Sequence, residues 1–274
     1  MGLRSSLQEV VVTAAAFRIG QIVPSSNTTM ETEIPAILRA SAEAQGSSFT
    51  FHSSRMRMKR VTKDELAAMD ADSDRCALEL SDARVDVLGY ACLVAIMSMG
   101  LGYHRSSERR LHGRTVENGA PAPVVTSAGA LIDGLKAIGA TKVAVITPYM
   151  KPLTQLVVDY IEAEEIEVLD SVALEIEDNL AVGRRDPMAL VDIAAGVSLA
   201  NVDALVLSAC VQMPSLAAIP AVEARAGVPV VSAAVCTAFR MLESLDLPTL
   251  APMAGALLSG RYASASPKQT AELA

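Results

Sequence analysis

Apolar residues fall along this chain in short blocks, separated by Ala-rich stretches with helical spacing. "FRIGQIVPSS" (17–26) reads as a buried strand that gives out in proline and serines. A helix is expected over 28–44, with Glu31 and Glu33 in its first turn, where the dipole favours acids. "SSFTFHSSRMRMKR" alternates with period two at its end and predicts a second strand. "KDELAAMDADSDRCALELSDA" then predicts a helix and "VDVLGYACLVAI" a strand. "APVVTSAGALIDGLKAIGA" is a short strand feeding a helix, and "TKVAVITPYMKPLTQLVVDYIEAEE" is strand, turn and helix. "IEVLDSVALEIED" follows as strand and loop, "DPMALVDIAAGVSLANV" as helix, "DALVLSAC" as strand and "VPVVSAAVCTAFRMLESL" as a last strand and helix. Strands alternating with helices pair in parallel and build an α/β fold.

The order then repeats. "DVLGYACLVAIMSMG" and "VDALVLSACVQMPS" share a phrase: an aspartate, an apolar run, then "AC". Ile19 matches Val143 at an offset of 124, Cys92 matches Cys210 at 118, and Val124 matches Val230 at 106. Slowly drifting offsets in one order predict two similar α/β domains, each a mostly parallel sheet flanked by helices, related by a pseudo-two-fold axis. The first domain is placed at 1–126 plus 231–274 and the second at 127–230, with the active site in the cleft between them.

Composition narrows the class. The 274 residues are 51% hydrophobic and 20% charged, as a globular chain requires, and only 3% aromatic. A net charge of −8 argues against nucleic acid, since phosphate binding needs a basic face. Three histidines and no Cys-x-x-Cys argue against structural zinc. Four cysteines, at 76, 92, 210 and 236, form no disulfide framework and fit a reduced, cytoplasmic setting. Val87 to Tyr103 is uncharged for 17 residues but holds three glycines, so no membrane span is expected. "MGLRSSLQEVVVTAAAF" has Arg4 and a short apolar run edged by Glu9; it is not read as a signal peptide, although "MGLRSS" fits a loose myristoylation pattern.

The matched cysteines carry the chemistry. Open α/β sheets bind ligands beyond the carboxyl ends of their strands. Cys92 and Cys210 each sit where an apolar strand gives out, so two facing halves bring both thiols to one cleft. A helix start or a nearby cation lowers a thiol pKa, making one sulfur a nucleophile or base while the other stays an acid. That pair suits racemisation, or addition to a double bond followed by elimination. Cys76 and Cys236 fall inside helices and read as small buried hydrophobes. Ser25, Ser26, Asn27, Thr147, Tyr149 and Asn179 stand at strand tips, where they and helix-start N–H groups can hold carboxylates. Arg55, Arg57 and Lys59 share one face and read as a solvated edge, and His104 as a surface-loop histidine.

"VPSSNTTMETEIPA", "SSRMRMKRVT", "GYACLVAIMSMG", "VITPYMKPL", "EIEDN" and "SACVQMPSL" occur in an order that closely resembles the maleate cis–trans isomerases of the aspartate/glutamate racemase superfamily, from Arg18 to Pro252. The resemblance implies a homodimer of two-domain chains, no cofactor, no metal, maleate as substrate and a role in nicotinate breakdown. It implies Cys92 as the nucleophile that adds to maleate, giving a succinyl-cysteine intermediate, and Cys210 as proton donor and acceptor. Asn27, Tyr149 and Asn179 would hold the two carboxylates, with amide donors around Leu93, Val94, Val211 and Gln212. "VAIMSMGLG" looks like a flexible loop that closes over substrate, and the tail "SASPKQTAELA" like a disordered end. A racemase, an arylmalonate-type decarboxylase or an ectoine-utilisation relative stays open, as does a non-catalytic dicarboxylate-binding protein. The decarboxylases resemble the chain less, because they lack the first cysteine.

Overall fold

The computed structural model describes residues 16–262. The N-terminal apolar run and the C-terminal tail discussed above lie outside the described residues. The first half runs β1 (Phe17–Pro24), α1 (Met30–Gln45), β2 (Phe49–Met56), α2 (Lys63–Asp82), β3 (Val87–Tyr90), α3 (Leu93–Ser98), α4 (Tyr103–Glu117) and β4 (Val124–Thr126), then α5 (Ser127–Ala137). The second runs β5 (Lys142–Thr147), α6 (Lys151–Glu162), β6 (Glu167–Ala173), α7 (Asn179–Gly183), α8 (Ala189–Ala195), β7 (Ala204–Ser208), α9 (Ile219–Ala226) and β8 (Val230–Ser232), then α10 (Ala233–Ser244).

The two sheets have one topology. Their strand orders are β2-β1-β3-β4 and β6-β5-β7-β8, all pairs parallel. β1 and β5 are inner strands of their sheets and are buried on both faces, hence their largely apolar runs. The repeated phrase has a structural reason at each of its ends. Asp86 accepts from Arg18 N at 2.6 Å and Asp203 from Lys142 N at 2.8 Å, so the aspartates fasten their strands to β1 and β5 respectively. At the far end Ala91 N donates to Ile22 O and Ala209 N to Ile146 O, both at 3.0 Å. The offset of 106 also holds to the atom: Thr126 caps α5 through Gly129 N, and Ser232 caps α10 through Val235 N.

Helices cover both sheets. α10 follows β8 in the chain yet packs against α5, α1 and β3. α4 corrects the sequence reading. His104 is not on a surface loop: it lies in this helix, 4% exposed, and its Nδ1 meets Tyr160 Oη at 2.6 Å. The inward face of α4 is His104, Ser107, Leu111 and Thr115, polar at three of its four positions but helically spaced. "VAIMSMGLG" is also corrected, since most of it is the end of α3 and only 99–102 is irregular. Arg55, Arg57 and Lys59 are exposed beside the edge strand β2, as expected. No helix among the described residues is long and apolar enough to cross a membrane.

Candidate active site

The carboxyl ends of six strands meet at one cavity. Pro24 and Asn27 come from the end of β1, Met58 and Val61 from beyond β2, and Cys92, Leu93 and Val94 from beyond β3. Tyr149 follows β5, Asn179 follows β6, and Cys210, Val211 and Gln212 follow β7. None of these twelve lining residues carries a charge. An anion held here meets only neutral donors.

Each donor is set by its own local structure. Asn27 Oδ1 accepts from the N–H groups of Thr29 and Met30, both at 2.9 Å, which starts α1 and leaves the Asn27 amide NH2 for the cavity. Leu93 and Val94 open α3, and the first N–H groups of a helix have no partner within it. Asn179 begins α7 behind its cap Asp178, and its Nδ2 donates to Ser26 Oγ at 2.8 Å. Gln212 buckles the two halves together. Its Oε1 accepts from Thr28 N at 2.8 Å, while its Nε2 donates to Asn179 O at 2.8 Å and Ser26 O at 3.2 Å. Glu33, read from sequence as a dipole partner of its own helix, instead reaches the other half, accepting from Ser215 N at 2.6 Å and Leu216 N at 2.7 Å.

The two thiols differ. Cys92 is half-buried, with φ 103° and ψ 76°, a left-handed conformation that costs a non-glycine residue about 1–3 kcal/mol. Cys210 is 7% exposed and is not at positive φ, and Ser208 Oγ donates to Cys210 O at 2.9 Å and to Met213 O at 3.2 Å. Burial pushes the Cys92 thiol up to about 12, against the opposing Ala95 N–H. Burial also raises the Cys210 thiol, while the Tyr149 hydroxyl and the N–H groups of Gln212 and Met213 pull it back. The expectation of a lowered thiol pKa therefore fails at Cys92: α3 is six residues long, and no cation lines the cavity to offset desolvation. The Tyr149 phenol is itself held well above its ordinary value by burial, so it remains a donor.

The sequence fits the arylmalonate decarboxylase family model over residues 19–258. The maleate isomerase of Pseudomonas putida is 65% identical over 246 residues, 90% of this chain and 98% of that protein. The crystal structure of the maleate isomerase from Pseudomonas putida S16 with maleate superposes with a TM-score of 0.89 at 66% identity, covering 90% of this chain and 99% of that one. The chain belongs to the maleate isomerase family. A further family structure is the Nocardia farcinica maleate cis–trans isomerase, in a cysteine-to-serine variant with a covalently bound succinylcysteine intermediate. It has a TM-score of 0.86 at 47% identity and covers 89% of this chain and 98% of that one.

As the resemblance to the maleate isomerase family implied, Asn27, Cys92, Leu93, Val94, Tyr149, Asn179, Cys210, Val211 and Gln212 come together, and all nine line the cavity. Ser25 does not: its Oγ stitches to the backbone of Met58. Thr147 faces Thr154. Cys76 and Cys236 are fully buried in α2 and α10, away from the cavity. Sequence reasoning missed Pro24, Met58 and Val61, which close one wall. The alternation of Met56 and Met58 with exposed Arg55 and Arg57 marked an inward face, but not that it reached the site.

Proposed function

We propose that the chain isomerises maleate to fumarate without a cofactor, through covalent attachment to Cys92. The observation that carries this reading is the pair of thiols, at matched strand ends, opening on one uncharged cavity lined with neutral donors. The Asn27 amide, the Tyr149 hydroxyl, the Asn179 side chain and the N–H groups of Leu93, Val94, Val211 and Gln212 hold the two carboxylates. No acid lines the cavity to pair with an α-ammonium group, which weighs against an amino-acid racemase.

The chemistry follows from the geometry. In maleate the double bond blocks rotation. The Cys92 thiol first gives up its proton to water; the thiolate then adds to one alkene carbon, and the displaced electron pair develops as a carbanion at the other, spread into its carboxylate. Donors fixed in advance around that carboxylate stabilise the charge where it forms. Cys210 delivers its proton to the carbanion carbon, giving a succinyl adduct with a single bond between the two carbons. Rotation about that bond is then easy. The Cys210 thiolate takes a proton back from the same carbon, the double bond re-forms, the C–S bond breaks, and fumarate leaves with the Cys92 thiolate regenerated. The Met213 N–H stabilises the Cys210 thiolate between these steps, with the Tyr149 hydroxyl and the Gln212 N–H shared between that thiolate and the bound carboxylate.

Residues 1–126 with 231–274, and 127–230, are taken as the two domains that enclose the cavity; α10 packing on α1 and β3 supports the first grouping. On the family likeness the chain works as a homodimer, which sedimentation checks. The decisive test is to mix the protein with maleate and follow fumarate by proton NMR, then repeat with Cys92→Ser and Cys210→Ser. Fumarate from the unaltered chain and from neither variant is the expected result. A folded protein that makes no fumarate would overturn the reading.

A further inference from the structure

Residues 91–102, between β3 and α4, carry Cys92, Leu93 and Val94 to the cavity. This excursion, which contains α3, leaves β3 at Tyr90 and ends where α4 begins at Tyr103. Both flanking phenols end on one carboxylate. Tyr90 Oη donates to Oδ1 of Asp70 at 3.2 Å, and Tyr103 Oη donates to Oδ2 of Asp70 at 2.7 Å. Asp70 lies on α2 and is 3% exposed, and Arg110 Nη2 donates to the same Oδ2 at 3.0 Å. Burial, and then Asp70 itself, holds the Tyr103 phenol up at about 12 and raises that of Tyr90 well above its ordinary value, so both stay donors.

The excursion needs holding. It contains three positions at positive φ: Cys92 at 103°, Gly100 at 124° and Gly102 at 69°. Met99 and Leu101 stand exposed within it. The second half fixes its own thiol differently. At the strand-end position matching Tyr90, 118 residues on, stands Ser208, whose hydroxyl bonds straight to the Cys210 backbone. The first half has a phenol there instead, bonded to the Asp70 carboxylate.

We propose that Asp70 is a positioning residue for Cys92. By holding Tyr90 and Tyr103 together, it pins both ends of the excursion and so fixes the aim of the thiol. This rests on the isomerase reading, and the test separates the two.

The variants are Tyr90→Phe, Tyr103→Phe and the double, which leave Asp70 paired with Arg110. Three quantities are read: kcat and KM for maleate well below Tm, Tm itself, and the iodoacetamide labelling rate of Cys92. Each single variant should lose about 10-fold or more in kcat, with KM within about threefold, since small misplacement of a reacting group is costly. The double should be no worse than the poorer single by more than about threefold, because either change releases the same staple. Cys92 should label about fivefold faster in each variant as the excursion loosens. Singles with kcat within about twofold of the unaltered chain, or a double loss equal to the product of the single losses, would overturn the proposal. If the unaltered chain makes no fumarate, the isomerase reading fails by itself. Labelling then decides: a faster rate in both variants upholds the positioning role, and an unchanged rate ends it.

Discussion

Cys92 should be a slow nucleophile in the free protein. Its thiol is pushed up to about 12 by burial, against about 8.5 for an exposed cysteine. At pH 8 about one in four exposed thiols is ionised, but only about one in ten thousand at Cys92, a deficit of about 2,400-fold. The more basic thiolate is also the better nucleophile. A Brønsted coefficient of about 0.45 over about 3.5 pK units returns roughly 40-fold. Labelling of Cys92 at pH 8 should therefore be about 60-fold slower than that of a cysteine in a short peptide. The assay is iodoacetamide labelling of the unaltered chain, with the Cys92 peptide followed by mass spectrometry against that reference. Peptide mapping separates Cys92 from the three buried thiols. The logarithm of the rate should climb with unit slope through about pH 10, where the reference has already bent over near 8.5. A bend near 8.5 at Cys92, or a rate equal to the reference, would refute the account of a thiol kept protonated by burial.

Tyr149→Phe removes one of three donors at Cys210; kcat for fumarate formation should fall about 10- to 100-fold, the worth of a hydrogen bond to a charged group. Gly183→Ala would drive a methyl into Thr28 and the Gln212 amide, so denaturant melts should show a loss of about 1–3 kcal/mol, and KM for maleate should rise. Burial raises the Glu108 carboxyl from 4.5 to about 7, against the hydrogen bonds from Thr126. A raised folded pKa adds stability that is fully present below the unfolded value and is lost as pH rises through the folded one. Between pH 5 and 8 the unaltered chain should thus lose about 2 kcal/mol relative to Glu108→Gln, at about 1.36 kcal/mol per unit. Equal pH slopes in chemical denaturation of the two proteins would show that Glu108 is not so raised.

The duplicated sheets were legible because strands buried on both faces must be largely apolar, and because Asp86 and Asp203 do the same fastening at the same place. α4 was not, because its inward face is His104, Ser107, Leu111 and Thr115, so the 3.6-residue rhythm is carried by one leucine and three polar groups amid arginines. α3 was hidden for the opposite reason: five apolar residues and Ser98 after an apolar strand show no rhythm at all. Within the site, chemistry-bearing side chains at strand ends stood out, and the family resemblance joined them. Met58 and Val61 carry no chemical signature, so only the folded chain shows them as a wall. Asp70, one acid among several in "MDADSD", becomes distinctive only when two phenols and a guanidinium converge on it.

The placement of α10 bears on how the chain is made. On the ribosome β1, β3 and α1 emerge first, yet the helix that covers them is translated only after the whole second sheet. Gln212 likewise waits to close contacts reaching back 184 residues, to Thr28. The first half must therefore stay uncapped, with apolar surface bare, until the second sheet has been made, a state prone to aggregation. The cavity, built almost wholly from such distant pairings, is completed only when the two halves dock. Folding should then be slow for a helix-rich protein, because loop closure precedes the contacts that reward it. Burial of the Cys210 thiol would mark the moment at which the nascent chain acquires its site.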